Sequence, residues 1–360
     1  MKIIFDCRYT RIGRHDGISR YGSRLVEELS KLHPVTMLIS DKRQLELLPD
    51  LPWELASSPT GAGEPFVAFQ VNKLKPDVVF TPMQTMGPFG RKYTLVTTVH
   101  DLIYYKHPTP PHNLPWPVRA MWRIYHLTWA FQRALLNRAD AHVTDSQTTR
   151  DQMLEHRLTK RPISVVTLGT DSITESPVRA VPTSRELVYM GSYMPYKNVE
   201  LLARAMQDLP GYTLHLMSRA DDDVKAFLSE LAPESSLIFH NGATDEVYVE
   251  TLSRATALVS ASRDEGFGLP QVEAMAVGTP VVLSDTPIFR EISASAGGFF
   301  DPDEPAALVR EIKALEDPAV WQSRSTAARS RSAEFTWAKG AAELSQVLHD
   351  AVAARARTRQ

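Results

Sequence analysis

Short apolar runs recur along the whole chain, and segments in which apolar residues return every three or four positions separate most of them. The runs are KIIF (2–5), VTMLI (35–39), DVVF (77–80), TLVTTV (94–99), DAHVT (140–144), ISVVT (163–167), ELVYM (186–190), TLHLM (213–217), LIFH (237–240), ALVS (257–260) and PVVLS (280–284). Short buried strands that alternate with helices are typical of parallel sheets covered by helices on both faces. We therefore predict an α/β fold built on parallel sheets.

The pattern is interrupted at residues 169–186, GTDSITESPVRAVPTSRE. This stretch is polar, contains Pro177 and Pro182 and has no apolar period, which is typical of a linker between domains. The strand–helix alternation resumes after it. The sequence therefore predicts two doubly wound domains.

Composition and charge narrow the class of protein. The chain has 360 residues, enough for two domains with separate cores, and a formal net charge of −2, which gives no reason to expect a nucleic-acid partner. Its single cysteine, Cys7, allows no intrachain disulfide and fits a reducing compartment. The start, MKIIFDCRYTRIGRHDG, lacks the apolar region of a signal peptide, and no run approaches the roughly 18 apolar residues of a membrane span. We predict a soluble, cytoplasmic protein.

The stretch SRDEGFGLPQVEAMAVGTPVV (262–282) carries the most specific chemistry. It follows the predicted strand ALVS, and Pro270 suits the first turn of a helix. Gly266 and Gly268 would let a ligand approach the backbone, while the free amides of the first turn would face an anion. Glu265 and Glu273 would then accept hydrogen bonds from sugar hydroxyls on either side of that anion. The alternative is that Glu265 caps the turn and Glu273 is a solvated surface residue.

The same stretch and several others resemble the retaining glycosyltransferases of family four, which have the GT-B fold. The similar segments, in chain order, are DGISRYGSRLVEEL (16–29), TVHDLIYYKHP (98–108), VTDSQTTRD (143–151), VVTLGTD (165–171), MGSYMPYKNVELL (190–202), EGFGLPQVEAMAVGTPVV (265–282) and SDTPIFREISASAGGFFDPDEPAAL (284–308). The resemblance implies two Rossmann-like domains that face each other across a cleft containing the active site. It places an acceptor-side domain at 1–172, a donor domain at 173–340, and a helix and tail at 341–360 that pack back on the first domain.

The resemblance also assigns roles to individual residues. Glu265, with the amides of Phe267 and Gly268, would bind the donor sugar, and Glu273 would bind the nucleotide ribose. Lys197 would neutralise the diphosphate, and His100 would contact the transferred sugar near the reacting bond. Gly17, with Arg20, would approach the diphosphate from the other domain. The catalytic set is thus His100, Lys197 and Glu265, and the donor-binding set is Gly17, Arg20, Ser192, Lys197, Glu265, Gly266, Phe267, Gly268, Leu269 and Glu273.

Each assignment has an ordinary structural alternative. Lys197 could be an exposed lysine, and His100 could be a core histidine hydrogen-bonded to Asp101. Gly17 could be a turn glycine that merely opens helix 17–32. That helix presents to the core a face formed by Ile18, Tyr21, Leu25, Leu29 and Leu32, and Arg20 lies off this face.

One position departs from the family pattern. The loop around Lys197 usually also carries an arginine, whereas Ser192 and Tyr196 stand at the candidate positions here. Lys197 would therefore act alone or with Arg20 or Arg219. No metal or other cofactor is expected, because the acidic runs DDD (221–223) and DPD (301–303) are interpreted as solvated caps.

The forms RIGRHDGISRYGSRL and HDLIYYKHP are most similar to α-mannosyltransferases that use GDP-mannose, and the Arg- and Ala-rich tail suits an actinobacterial enzyme of mannose or methylmannose polysaccharide assembly. The expected partners are a nucleotide-sugar donor and a carbohydrate acceptor. UDP-glucose as donor and a catalytically silent nucleotide-sugar module remain open alternatives, whereas a nicotinamide oxidoreductase lacks its G-x-G-x-x-G fingerprint. The sequence assigns no oligomeric state.

Segment 118–140, VRAMWRIYHLTWAFQRALLNRAD, allows two interpretations. One stripe carries Met121, Trp122, Tyr125, Trp129 and Leu136, and the other side carries Arg119, Arg123, Arg133 and Asn137. Such a helix could lie on an anionic membrane. We favour a helix packed on the sheet, because the strand that follows needs a cover.

Overall fold

The computed structural model describes residues 1–110, 115–171 and 179–358. The chain divides into two compact units, Met1–Gly169 with Thr336–Gln360 and Thr170–Phe335. The sequence places the corresponding boundaries after residues 172 and 340. Within the predicted linker, residues 172–178, including Pro177, lie outside the described residues.

The strands are β1 Ile3–Asp6, β2 Val35–Ile39, β3 Trp53–Leu55, β4 Val78–Thr81, β5 Thr94–Val99, β6 Ala141–Thr144, β7 Ile163–Val165, β8 Glu186–Tyr189, β9 Thr213–Leu216, β10 Leu237–Phe239, β11 Ala257–Ser260, β12 Val281–Ser284 and β13 Gly297–Phe300. The α-helices are α1 Gly17–Leu32, α2 Val67–Asn72, α3 Ile103–Lys106, α4 Trp116–His126, α5 Ala130–Leu136, α6 Gln147–Glu155, α7 Val199–Ala205, α8 Asp222–Leu231, α9 Asp245–Arg254, α10 Leu269–Ala276, α11 Pro287–Ser293, α12 Pro305–Ala314, α13 Pro318–Ser332 and α14 Trp337–Arg357. Among these described helices, none is both long and apolar enough to cross a membrane.

The first unit is built on one parallel sheet with the strand order β3-β2-β1-β4-β5-β6-β7. The second contains a parallel sheet with the order β10-β9-β8-β11-β12-β13. The prediction of an α/β fold with two doubly wound parallel sheets is confirmed. In each sheet the order reverses beside the unit's first strand, at β1/β4 and at β8/β11, and ligands of such sheets bind outside the strand ends at this point.

The predicted helix 17–32 coincides with α1. Asp16 caps it by accepting a hydrogen bond from the Ser19 amide at 2.9 Å, as N-cap aspartates do. Tyr21, Leu25 and Leu29 are buried in the core, but Leu32 is 50% exposed, so its assignment to the core face is wrong.

The C-terminal helix α14 belongs to the first unit and packs along α1. Gly340 in α14 lies so close to the end of β7 that a Cβ atom there would stand 2.3 Å from the Thr167 carbonyl oxygen. Leu344 and Leu348 are fully buried, and His33 is hydrogen-bonded to Ser345 at 2.7 Å. This helix therefore completes the core of the unit.

Segment 118–140 differs from the favoured interpretation. It forms two helices, α4 and α5, separated by residues 127–129. No residue of α4 is buried, and Met121 is 64% exposed. The prediction of a helix packed on the sheet is therefore wrong for α4. It holds for α5, which directly precedes β6, buries Gln132 and Leu136, and contributes Leu136 to a core cluster with Val99 of β5. At the break, Trp129 stacks on Tyr105 with ring centroids 3.8 Å apart.

Candidate functional site

The ends of β8 and β11 bring together two segments that the sequence singles out. These strands are neighbours, paired at Leu187–Ala257 and Val188–Leu258, and their order marks the reversal point of the second sheet. The loop with Lys197 follows β8, and the loop with Glu265 follows β11. The amide of Arg263 donates to the Tyr196 carbonyl oxygen at 2.8 Å, which joins the two loops directly.

Lys197 and Glu265 form an ion pair. Lys197 ends a short 3-10 helix, Pro195–Lys197, and its Nζ donates to Glu265 Oε1. The side chains are only 12% and 17% exposed, and Ser262 Oγ donates to the same Oε1 atom at 3.1 Å. The interpretation of Lys197 as an ordinary exposed lysine is therefore wrong. The pair sets a cation and a carboxylate side by side at the strand ends.

The glycine-rich corner is held in a conformation that suits glycine. Gly268 has φ of +89°, and a Cβ atom there would lie 2.1 Å from Gln271 Oε1. Gln271 cannot easily withdraw, because it is 3% exposed and its Nε2 donates to the Phe267 carbonyl oxygen at 2.8 Å. The corner leads directly into α10 at Leu269, with Pro270 in the first turn. The first amides of such a helix have no intrahelical partner and favour an anion.

Glu273 lies inside α10 and is 9% exposed. A buried carboxylate is costly unless it is paired or hydrogen-bonded, so the alternative of a solvated surface glutamate is wrong. Residues 262–282 thus hold two shielded carboxylates, Glu265 before the corner and Glu273 beyond it.

Arg219 lies near the loop that follows β8. Ser218 accepts a hydrogen bond from the Gly191 amide at 3.1 Å through its Oγ and one from the Tyr193 hydroxyl at 3.2 Å through its carbonyl oxygen. Arg219 is the next residue and is exposed. Ser192 is also exposed, and its carbonyl oxygen accepts from the Tyr189 hydroxyl at 2.6 Å. Arg219 is therefore a second cation beside the Lys197 loop.

In the first unit, His100 follows β5 and is hydrogen-bonded at both ring nitrogens. Nδ1 bonds Asp145 Oδ2 at 2.5 Å, and Nε2 bonds the Pro82 carbonyl oxygen at 2.8 Å. The expected alternative partner, Asp101, instead accepts from the Ile103 amide at 3.0 Å. Both partners of His100 are acceptors, so the ring donates from both nitrogens and is an imidazolium. For Nε2 to donate a hydrogen bond to a sugar, its hydrogen bond to the Pro82 carbonyl oxygen would have to be broken or shared.

The surroundings of His100 stabilise this charge. Burial by itself would lower the pKa of His100, but the negative charge of Asp145 and its hydrogen bond, with help from the Pro82 carbonyl, raise the pKa to about 9. The ring of Tyr21 meets the imidazole edge-on, with centroids 5.1 Å apart. The first unit thus holds a fixed cation at its strand ends.

Sequence reasoning missed Asp145 as a site residue. It is 5% exposed and follows β6, the strand that pairs with β5. The signal was available, because residues that follow adjacent parallel strands meet at the same edge of a sheet. The segment VTDSQTTRD was identified only as a similar stretch, without a role for its aspartate.

We expect Asp145→Asn to remove a pH-dependent part of the stability. The pKa of His100 is about 9 in the folded protein and about 6.5 in the unfolded chain. The contribution of the His100–Asp145 interaction to the free energy of unfolding is therefore complete below about pH 6.5 and is lost as the pH rises through about 9. The gap in unfolding free energy between the wild type and Asp145→Asn should be wide near pH 6 and narrow near pH 10, measured by urea denaturation.

Asp151→Asn is the matched control for this prediction, because Asp151 is an exposed carboxylate on α6. It should leave the pH dependence unchanged. A gap for Asp145→Asn that stays constant between these pH values would show that His100 is not held as an imidazolium.

Gly17 is the first residue of α1 and has open space around it. A Cβ atom at Gly17 would meet no atom within 4 Å, and Gly17 is not among the glycines with positive φ. The alternative of a glycine required by the turn therefore finds no support in the backbone. Arg20, one turn further along α1, is half-buried.

The acidic runs lie at chain turns. Asp221 is the N-cap of α8, and Asp222 and Asp223 occupy its exposed first turn. Asp303 is paired with Arg263 at 2.5 Å. Within residues 1–110, 115–171 and 179–358, no three histidine, cysteine, aspartate or glutamate side chains are grouped as metal ligands.

Sequence models of two protein families match the chain. The family described as Glycosyltransferase Family 4 matches residues 15–172, and the family described as Glycosyl transferases group 1 matches residues 173–331. The two matches meet at the boundary predicted between the domains. Among solved structures, a sucrose-phosphate synthase from Thermosynechococcus elongatus is similar over 98% of this chain and 99% of its own, with a TM-score of 0.73 and 19% identity.

Three curated relatives are mannosyltransferases. The O-antigen chain mannosyltransferase RfbU of Salmonella typhimurium is 23% identical over 325 residues, which cover 85% of this chain and 89% of RfbU. The MMP alpha-(1->4)-mannosyltransferase of Mycolicibacterium hassiacum is 25% identical over 72% of this chain and 66% of its own length. The serotype-specific mannosyltransferase WbdA of Escherichia coli is 27% identical over 50% of this chain, and the match spans only 23% of WbdA.

Proposed function

Because this chain belongs to the GT-B glycosyltransferases that join a family 4 domain to a group 1 domain, we propose that it transfers an α-mannosyl residue from GDP-mannose to a carbohydrate hydroxyl. The observation that carries this proposal is the shielded Lys197–Glu265 pair at the reversal point of the second sheet. A diphosphate needs a cation, and a sugar needs hydrogen-bond acceptors at its hydroxyls. The mannosyl assignment is supported by the curated relatives.

In this proposal each shielded group meets one part of the donor. Lys197 donates one N–H hydrogen bond to Glu265 and a second one to the diphosphate, since an ammonium group has three donors. Glu265, oriented by Lys197 and Ser262, accepts hydrogen bonds from the sugar hydroxyls. The amides of the first turn of α10 face a phosphate oxygen. Glu273, further along the same helix, accepts from the ribose.

The reaction is proposed to retain the configuration at the anomeric carbon. The bond from that carbon to the phosphate oxygen breaks, and the acceptor oxygen bonds to the same face. The acceptor proton passes to the departing diphosphate. Negative charge grows on the phosphate during this step, so the cations at Lys197 and Arg219 stabilise the transition state more than the ground state.

A thermal-shift panel tests the donor. A donor that binds only the folded protein raises the melting temperature by mass action, by an amount that grows with its concentration. We expect GDP-mannose and GDP to raise the melting temperature of the wild type more than UDP-glucose or UDP does. A larger shift with UDP-glucose would assign UDP-glucose as the donor instead of GDP-mannose. If no nucleotide sugar shifted the melting temperature, the proposal of a donor site would be contradicted.

We expect Glu273→Ala to raise the donor KM with little change in kcat. A hydrogen bond to a carboxylate contributes about 1.5–3 kcal/mol, which corresponds to roughly 10- to 100-fold in affinity. The ribose is remote from the reacting bond, so the ground state and the transition state lose the same contact. Steady-state kinetics with varied donor measure the effect.

Glu273→Gln serves as the conservative control, because it fills the same volume and keeps an acceptor oxygen. Its KM should lie between those of the wild type and Glu273→Ala. If a folded Glu273→Ala variant had the donor KM of the wild type, Glu273 would not bind the nucleotide ribose.

We expect Gly17→Ala to leave the melting temperature unchanged or slightly raised and to impair donor use by about tenfold or more. The added methyl group meets no protein atom, and alanine is favoured over glycine in a helix. Any loss of activity would therefore come from the approach of a ligand to the start of α1. Gly22→Ala, in the middle of the same helix, is the control for an effect of helix propensity alone. Full activity in Gly17→Ala would exclude close contact between Gly17 and the donor.

A further inference from the structure

The side of α4 that faces away from the protein is apolar. Trp116, Met121, Ile124 and Leu127 are exposed by 79%, 64%, 58% and 75%. We call these four residues, of which Leu127 is the C-cap that directly follows the helix, the outer face of α4. A surface helix normally turns its polar side to water, so this helix has the reverse of the usual arrangement, and a continuous exposed apolar patch marks an interaction site.

The opposite side of α4 is anchored by aromatic contacts, so the exposure is not the result of a loosely attached helix. Trp122 meets Tyr104 edge-on with centroids 5.1 Å apart. His126 packs on Tyr105 at 4.8 Å, and the Tyr125 hydroxyl donates to Gln132 at 2.7 Å. These contacts hold the outer face in its outward orientation.

The charged residues of the segment that carries the outer face have one sign. Residues 102–139 contain no aspartate or glutamate, although the whole chain has a formal net charge of −2. The same segment contains Lys106, Arg119, Arg123, Arg133 and Arg138. Arg123 is exposed and lies two turns after Trp116 and one turn before Leu127, so it belongs to the same side of the helix. The patch is thus apolar with a cationic margin.

This combination fits an anionic lipid surface better than a second copy of the chain. Pairing two outer faces would bring like-charged arginines together, and segment 102–139 offers no carboxylate to compensate them. The helix has 11 residues, and at 1.5 Å per residue it is about 16 Å long. It is too short to cross a bilayer and would lie in the interface, with its apolar side chains among the acyl chains and its arginines at the headgroups.

We propose that the outer face of α4 is a docking surface for membranes that contain anionic lipids. Membrane contact was the less favoured interpretation of segment 118–140, and the orientation of α4 reverses that preference. The affinity has two components, insertion of the apolar residues and attraction between Arg119, Arg123 and the lipid phosphates. The second component weakens as the salt concentration rises.

Vesicle co-sedimentation of the whole protein tests this proposal. The probes are vesicles of phosphatidylcholine alone and vesicles that also contain phosphatidylglycerol. We expect the wild type to bind the anionic vesicles preferentially and to be released by salt. The double variant Ile124→Ser with Leu127→Ser should bind at least about tenfold more weakly. Arg123→Gln should reduce the binding to anionic vesicles and its salt dependence.

The matched control is the double variant Phe66→Ser with Phe69→Ser, which removes two side chains that are 58% and 55% exposed outside this segment. It should bind vesicles as the wild type does. Equal binding by the α4 double variant and the wild type would overturn the proposal. So would the absence of vesicle binding together with a concentration-dependent dimer, in sedimentation analysis, that the α4 double variant abolishes.

Discussion

Lys197→Ala is expected to lower kcat by roughly 100-fold or more, the scale of removing one preorganised stabilising group, with a smaller change in the donor KM. The reason is the position of Lys197. Its side chain is 12% exposed, lies against Glu265 and is the only charged side chain of the 190–197 loop. Because Ser192 and Tyr196 stand at the candidate positions of the usual arginine, we propose that Lys197 carries a larger share of the charge compensation of the departing diphosphate.

Two controls separate this effect from general damage. Lys225→Ala removes a lysine that pairs with the exposed Asp222 and should retain wild-type kinetics. Lys197→Arg keeps the charge with a different geometry and should recover part of the activity. We propose that no metal ion takes part, so EDTA should leave wild-type turnover intact. Turnover lost in EDTA and restored by Mg²⁺ or Mn²⁺ would assign the charge compensation to a metal.

Glu265→Gln is expected to lower kcat/KM by a similar factor, on the order of 100-fold. Glu265 accepts from Lys197 and Ser262 and is proposed to accept from the donor sugar as well. The amide keeps the volume but loses the charge that orients Lys197. One substitution therefore weakens the contacts to the sugar and to the diphosphate.

Because each single substitution already disrupts the Lys197–Glu265 pair, their effects on kcat/KM should not be additive in free energy. The double variant Lys197→Ala with Glu265→Gln should lose less than the product of the two single factors. The kinetics of all four proteins measure this coupling. Losses that multiply would show that the two residues act independently and would contradict the proposed shared role.

The strands could be predicted because most are short and buried. TLVTTV and ALVS coincide with β5 and β11, the strands that lead to His100 and to the Glu265 loop. Two strands were missed. All three residues of β3 are exposed, so it has no apolar run, and β13 begins with Gly297 and Gly298, which are typical of loops.

The contacts between distant segments could not be predicted in the same way. The Lys197–Glu265 pair joins residues far apart in sequence and depends on β8 and β11 being neighbours, which only the strand order establishes. Asp145 as the partner of His100 depends in the same way on the pairing of β5 with β6. For α4, the predicted stripe is wrong, because it places Met121 and Trp122 on one side. Met121 is 64% exposed, whereas Trp122 packs against Tyr104, so the two side chains lie on different sides of the helix.

The most direct test of the central claim is an NMR time course of transfer. The wild type is mixed with GDP-mannose and a methyl α-mannoside acceptor, and the one-bond carbon–hydrogen coupling at the new anomeric centre is recorded. We predict GDP release with the appearance of an α-linked mannosyl product, a reaction that Lys197→Ala slows strongly. A β-linked product would contradict retention. Absence of any transfer from GDP-mannose, with transfer from another nucleotide sugar or from none, would contradict the proposed mannosyltransferase.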